Sequence, residues 1–227
     1  ANRVMFNGAG GVVVSGGSSA SVRGNAITGN TGLGIDLNGD GVTANDGAKT
    51  AGQSNLLMDQ PRIVTALLNG NQVTASGYVG SAAGQTAFGG ASVDLYLSDN
   101  DATGYGEGRA WIGTLLADAQ GGFAGSFTLP AALQGTVGTG ATITATATDA
   151  AGNTSEFGAN TQLPLVLIVN DPGDAVDANP GDGQCATSNP AICTLRAAIM
   201  ESNASSYAQV IRFALPSCPG AGCTIAP

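Results

Sequence analysis

A stretch near the start of the chain repeats after 23 residues, and this repeat limits the fold more than any other feature of the sequence. Residues 2–14 align with residues 25–37, and asparagine falls on asparagine twice. A repeat this short cannot enclose a core, so we expect the copies to stack with matched apolar side chains in contact. The matched apolar pairs are Val4 with Ile27, Val12 with Ile35 and Val14 with Leu37. The alternative is two unrelated strand–turn–strand hairpins of similar composition.

Residues 1–40 combine short alternating strands with Asn and Gly corners, which tolerate left-handed backbone angles. In these features they resemble the parallel β-helix repeats of secreted bacterial proteins. The resemblance implies successive coils, in which Val4, Val12 and Val14 point inward and stack on the next coil.

The chain is acidic and poor in cations. Its 227 residues carry a net charge of −9, with 7 Lys and Arg against 16 Asp and Glu, and no histidine. Such a surface repels phosphate backbones, so we expect no nucleic-acid binding. The lack of histidine excludes Ser-His-Asp and Cys-His mechanisms and His-ligated zinc. The longest apolar run, residues 163–169, is far below the ~20 residues that a membrane span needs, so no span is expected.

A polar linker, residues 41–58, follows the repeat and adjoins a candidate cation loop. Oxygen-bearing side chains at Asp36, Asn38 and Asp40, with glycine next, are the way in which a calcium loop begins. The position that normally supplies a bidentate acid is glycine, and the nearest acid is Asp46. The sequence therefore predicts a weak Ca²⁺ site at these four residues, and the alternative is a polar turn that leaves the last coil.

Residues 59–163 show short strands separated by turns, as in an antiparallel β-sandwich. The predicted strands are residues 62–67, 72–79, 91–98, 110–117, 122–129 and 141–149, with a further short one near 154–158. The predicted inward side chains are Val73, Val93, Leu95, Leu97, Trp111, Phe123, Phe127, Ile143 and Ala145. Residues 144–157 resemble the end of the Ig-like repeats of large bacterial surface proteins, which implies an Ig-like sandwich.

Three aromatic residues of this region, Tyr96, Tyr105 and Trp111, allow two interpretations. They form either a sugar-binding platform or a buried Trp with nearby Tyr side chains. The sandwich pattern favours the buried arrangement.

Residues 164–227 contain all four cysteines of the chain. Three connectivities are possible. We favour the sequential pairs Cys185–Cys193 and Cys218–Cys223, because each closes a short loop marked by Pro or Gly. No C-x-x-C spacing supports a zinc site. Disulfides imply an oxidising compartment, so we expect an extracellular or cell-surface protein.

The same region predicts a strand at 165–169, a helix at 195–203 and a strand at 210–215. Thr194 is the expected N-cap of the helix. Its expected apolar face is Leu195, Ala198 and Ile199. The string C-T-L-R-A-A-I resembles the CSLREA motif, which precedes β-helix regions in secreted bacterial proteins, with Thr in place of Ser and Ala in place of Glu. The resemblance implies a cap for a β-helix.

The fold expected from these segments is mainly β. It comprises partial parallel β-helix coils (1–40), an Ig-like antiparallel β-sandwich (59–163) and a small disulfide-stapled strand–helix–strand cap (164–227). Up to residue 37, where the repeat ends, the coils offer only Arg3, Arg23 and Asp36 as charged side chains, without the paired carboxylates that cleave glycosidic bonds. We therefore expect no enzyme, and a fragment of a polysaccharide-degrading β-helix is the least favoured function.

The favoured function is an extracellular structural protein, a unit of a surface fibre whose copies join head to tail. The first coil and the cap each leave an unpaired surface, and because the two surfaces differ, their contact propagates. The residues expected in it are Val4, Val12, Val14, Ile211, Phe213 and Ile225. The alternative is an adhesin module that binds surface glycans or a host surface. No signal peptide is visible, so we expect the first residue to lie within a longer gene product.

Overall fold

The computed structural model describes residues 1–137, 140–206, 209–215 and 225. Two compact units are present. The first comprises residues 1–66, 71–134 and 141–162, and the second comprises residues 67–70, 135–140 and 163–227. The described residues are mainly β, with several sheets, one α-helix and a disulfide, which confirms the broad fold class.

Four three-residue strands form the N-terminal part of the first unit: β1 (Arg3–Met5), β2 (Val12–Val14), β3 (Ala26–Thr28) and β4 (Ile35–Leu37). β1 pairs in parallel with β3, and β2 pairs in parallel with β4. The register places Val4 opposite Ile27, Val12 opposite Ile35 and Val14 opposite Leu37. This register is the alignment that the 23-residue repeat predicts.

Two larger sheets complete the first unit. One contains β5 (Pro61–Asn69), β6 (Gln72–Val79) and β9 (Gly122–Thr128) side by side, with β6 and β9 antiparallel. The other is antiparallel in the order β11-β10-β7-β8, from β7 (Ser92–Ser98), β8 (Gly108–Leu116), β10 (Thr142–Thr148) and β11 (Thr161–Gln162). In place of the short strand expected near 154–158, Thr154 forms an isolated bridge with Thr148.

The alternating pattern of these strands predicts most of the buried side chains correctly. The buried ones are Val73, Val93, Leu95, Leu97, Phe123, Ile143 and Ala145. Phe127 is half-buried. Trp111 is a wrong prediction, because its side chain is 42% exposed. The β7–β8 pairing shifts register between Leu95 and Tyr96, and such a bulge moves the neighbouring residue of β8, Ile112, into the core.

The second unit contains β12 (Leu165–Val169), α1 (Leu195–Ala204) and β13 (Gln209–Phe213). β12 and β13 are parallel, with Val169 opposite Phe213. The predicted Cys185–Cys193 disulfide is confirmed, with Cα atoms 5.2 Å apart. The other predicted pair, Cys218–Cys223, lies outside the described residues.

The helix begins as predicted, but it buries a different face. Thr194 Oγ1 accepts a hydrogen bond from the Ala197 N–H at 3.1 Å, which is an N-cap. Ile199, predicted to be buried, is 44% exposed. The buried helical residues are Ala197, Ala198 and Glu201. The Glu201 carboxylate accepts N–H bonds from Gly181 and Gly183. The loop that contains these glycines therefore covers the Glu201 side of the helix, which the apolar pattern did not predict to be buried.

Candidate functional site

The two copies of the repeat, residues 2–14 and 25–37, pair strand on strand and are called coils below. Their apolar core continues into the larger sheets of the first unit. The cluster consists of Val14, Ile27, Ile35 and Leu37 from the coils with Tyr96 and Phe157 from beyond them. The Tyr96 and Phe157 rings meet edge to face, with centroids 5.4 Å apart. One end of the coil stack is therefore covered by the rest of the same unit.

Two buried carboxylates fix this covered end. Glu107 accepts hydrogen bonds from the backbone N–H of Asn30 at 2.8 Å and from its side-chain amide at 2.7 Å. Glu156 accepts from the N–H of Leu37 at 2.9 Å and from the N–H of Thr43 at 2.8 Å. Bonds to a charged acceptor are strong, and they satisfy coil amides that would otherwise be buried without partners.

Two ion pairs join the same parts of the unit. Arg23 donates to both carboxylate oxygens of Asp94, at 2.7 and 2.9 Å. Lys49, the only lysine of the chain, lies 2.8 Å from Asp149. A bidentate pair such as Arg23–Asp94 also sets the relative orientation of the segments that it joins.

The opposite end of the coil stack is open. Among the described residues, β1 and β2 each pair with one strand only. The Val12 N–H donates to Gly34 and the Val14 carbonyl accepts from Asn38, both at 2.9 Å, so the backbone groups of Val13 between them point to the free edge. Exposed apolar side chains accompany this edge, with Phe6 at 78% and Val13 at 52% exposure. Of the predicted assembly residues, Val4 and Val12 are half-buried here and Val14 is buried.

Asparagine side chains link the coils at two corners. The side-chain oxygen of Asn25 accepts from the N–H of Asn2 at 2.9 Å, and that of Asn30 accepts from the N–H of Asn7 at 3.0 Å. In each pair the later coil accepts and the earlier coil donates. Asn2 and Asn7 are exposed, so their own side-chain oxygens are accessible at the open end.

The second unit places the other predicted assembly residues in two locations. Ile211 and Phe213 lie on β13, where Ile211 packs against the core of this unit and Phe213 is 55% exposed. β13 pairs with β12 alone among the described strands. Ile225 is half-buried beside α1, where it lines a hollow of 370 Å³ with Leu195 and Ile199.

The four residues of the predicted calcium site are spread over a turn and the linker. The Asp36 carboxylate accepts N–H bonds from Gly39 and Gly41, at 3.1 and 3.3 Å. The Asn38 side-chain amide donates to the side-chain oxygen of Gln53 in the linker, and the Asp46 carboxylate accepts from the backbone N–H of Ala48. In the described part of the chain, no cluster of three or more acidic or cysteine side chains is placed to hold a metal ion. Ca²⁺ binding remains a prediction, and the hydrogen bonds agree with the polar turn that was its alternative.

The three aromatic residues considered as a sugar platform do not share one exposed surface. Tyr96 is buried, and its hydroxyl accepts from the Gly24 N–H at 2.9 Å. Burial raises the pKa of Tyr96 to about 12. Tyr105 and Trp111 both retain accessible surface, on a loop and on β8 respectively. The platform as predicted is therefore not present.

No known family model matches the chain. None of the described helices has the length and apolar character needed to cross a membrane.

The glutamates that bind the coils could not be identified from the sequence alone. Asn30 was visible as a repeated asparagine, but Glu107 and Glu156 lie 77 and 119 residues from their coil partners and belong to no local motif.

Buried acids at the covered end lead to a prediction about pH. Burial raises the pKa of Glu107 and of Glu156, despite the hydrogen bonds that favour their charged forms. A raised folded-state pKa means that the folded chain binds more protons than the unfolded chain at pH values between the unfolded and the folded pKa. The free energy of unfolding should therefore increase as the pH is lowered from neutral towards the ordinary pKa of glutamate. Below about pH 4 it should fall, because Asp99 and Asp149 have lowered pKa values in the fold.

Urea denaturation at a series of pH values measures this dependence. The Glu156→Gln variant keeps an acceptor for the Leu37 N–H and lacks the titration, so its midpoint should change less over the same range. A wild-type midpoint that falls steadily from pH 7.5 to pH 5.5 contradicts the prediction.

Proposed function

We propose that the chain is a unit of an extracellular surface fibre whose copies join head to tail. In this proposal residues 1–40 are two coils of a parallel β-helix, the two larger sheets are an Ig-like sandwich, and the second unit is the cap of a following coil stack. The register of β1 with β3 and of β2 with β4, offset by one repeat, supports the coil assignment.

The open end of the coil stack is the observation that carries the proposal. It combines two unpaired strand edges, accessible asparagine oxygens and the exposed side chains of Phe6 and Val13. A soluble chain normally protects such an edge with charge, proline or a covering segment. Here the one charged side chain on these two strands is Arg3, so the edge favours the addition of another strand.

The second unit supplies a strand of matching direction. In the coils, the free edge belongs to the earlier strand of a parallel pair, β1 before β3. In the second unit it belongs to the later strand, β13 after β12. If β13 of one copy lies beside β1 of the next, all four strands run parallel in chain order. The two surfaces differ, so the contact repeats without closing on itself in a dimer.

The disulfide and the composition support an extracellular location. The chain contains the Cys185–Cys193 disulfide, and disulfides of this kind persist in oxidising compartments and are rare in the cytosol. Ca²⁺ at the Asp36 turn and surface glycans are further proposed ligands of the same protein, without a direct role in the strand contact.

Blocking one edge amide tests the assembly. The Val13→Pro variant removes the N–H that points to the free edge and leaves the bonds of Val12 and Val14 to β4 in place. The matched control is Val13→Thr, which keeps both the N–H and the β-branched shape. In sedimentation velocity at increasing concentration, the wild type and Val13→Thr should form linear oligomers, and Val13→Pro should remain monomeric.

A second variant acts at the other end of the chain. Phe213→Arg changes an exposed side chain of β13, so it should keep the fold and also remain monomeric. Circular dichroism verifies the fold of each variant, and electron microscopy shows whether the wild-type oligomers are linear. A wild type that stays monomeric at all concentrations, or a Val13→Pro variant that assembles like the wild type, overturns the proposal.

A further inference from the structure

A cleft of 580 Å³ lies in the first unit, away from the open coil edge. Its walls come from the linker at residues 42–45, the start of β5, the segment after β6 and the loop that carries Tyr105. A concave site of this size, with several polar groups facing inward, is typical of small-ligand sites.

Two amide side chains make the floor of the cleft rigid. The Asn45 amide donates to the carbonyls of Gln60 at 2.9 Å and Gly80 at 2.8 Å, and its oxygen accepts from the Gln60 N–H at 2.8 Å. The Gln60 side chain, 5% exposed, donates to the Thr43 carbonyl at 2.8 Å. Because these bonds join the groups of the floor to one another, binding requires little ordering of the floor.

The aromatic wall is also held in place. Tyr105 forms an antiparallel bridge with Ala159, and the carbonyl of Gly104 accepts from the Asn160 N–H at 2.8 Å. Its side chain remains half-exposed and lines the cleft. A tyrosine on a backbone held in this way offers an apolar ring face, against which the C–H side of a sugar ring can pack.

Arg62 is the one charged side chain that lines the cleft. The guanidinium is exposed and forms no ion pair among the described residues. In a chain of net charge −9, which has only 7 cationic side chains in total, an unpaired arginine in a cleft is a distinctive feature. Arginine presents a planar pair of donors that matches a carboxylate.

We propose that this cleft binds a saccharide that ends in a sugar bearing one carboxylate, with Arg62 on the carboxylate and Tyr105 against the sugar ring. A polyanion does not fit as well, because one arginine neutralises a single charge and the rest of the chain repels the others. The site does not depend on strand addition, so its test is separate from that of the fibre.

Two pairs of saccharides serve as probes in isothermal titration calorimetry at millimolar ligand. One pair is sialyllactose with lactose, and the other is glucuronic-acid-capped xylotriose with xylotriose. The wild type should bind at least one acidic member about tenfold or more tightly than its neutral partner, and the preferred pair tells sialic acid from uronic acid as the source of the carboxylate.

Variants assign the binding to the cleft. Arg62→Gln should remove the preference for the acidic sugar, and Arg109→Gln, an exposed arginine of β8 outside the cleft, should preserve it. Tyr105→Ala should weaken binding of the acidic sugar, and Tyr105→Phe should retain it, because the ring and not the hydroxyl makes the contact. No binding of either acidic probe, equal binding of acidic and neutral probes, or an unchanged affinity in Arg62→Gln overturns the proposal.

Discussion

Replacing Phe157 by alanine should lower the free energy of unfolding of the first unit by about 3–5 kcal/mol, which is the usual cost of deleting a buried aromatic ring. The Phe157 ring is 2% exposed and packs on both Tyr96 and the coil core. A methyl group on Gly34 or Gly108 would lie within 2.9 Å of it, which shows how closely the backbone surrounds the ring. The glycines beside the ring have no side chain that could move into the cavity, so the cost should be near the top of that range.

Urea denaturation followed by tryptophan fluorescence measures this loss. Phe6→Ala is the control, because Phe6 is 78% exposed and its removal should change stability by less than about 0.5 kcal/mol. A loss below about 1 kcal/mol for Phe157→Ala would show that the coil core does not depend on this ring.

The second large effect is expected at Asn30. In the Asn30→Ala variant, Glu107 loses the side-chain donor at 2.7 Å and stays buried with an incompletely paired charge. The two bonds that Asn7 donates to the Asn30 side-chain oxygen, from its backbone N–H and its side-chain amide, are lost as well. A buried carboxylate deprived of a partner costs about 3 kcal/mol or more, so this single change should remove much of the stability of the covered end.

The repeat itself offers the control. Asn25 is the acceptor at the other corner, where it accepts from Asn2, but its bonds are exposed. Asn25→Ala should therefore cost less than about 1 kcal/mol. Adding Glu107→Gln to Asn30→Ala should recover part of the loss, since it removes the buried charge. Equal losses in the Asn25 and Asn30 variants would contradict the role assigned to Glu107.

The spacing of apolar and capping residues correctly predicted the strand register of the repeat and the start of the helix. The register of β2 on β4 follows from the apolar period, because a shift by one residue would turn every inward side chain outward. Thr194 followed from the capping preference for short side chains with an oxygen. Trp111 failed because a bulge at Ile112 moves its side chain to the opposite face, and the glycine beside it, Gly113, is the mark of that bulge in the sequence.

The parts that escaped prediction depend on distant contacts. The bonds from Glu107 and Glu156 to the coils span 77 and 119 residues. Each glutamate looks in sequence like an ordinary surface acid, and only the packed fold shows that it is buried. The Arg62 cleft likewise combines the linker, β5 and the Tyr105 loop, which are far apart along the chain.

One of the asparagines that link the coils also limits how long the open end stays chemically intact. Asn7 precedes Gly8, and an exposed Asn-Gly pair is open to deamidation, because glycine does not hinder attack of its backbone nitrogen on the asparagine side chain. The attack releases ammonia, and hydrolysis then leaves a carboxylate. At this corner the carboxylate would replace the amide that donates to the Asn30 oxygen at 2.7 Å, so a donor becomes a repelling charge. Old and freshly made copies of the chain would then differ at the very edge that a new strand has to meet.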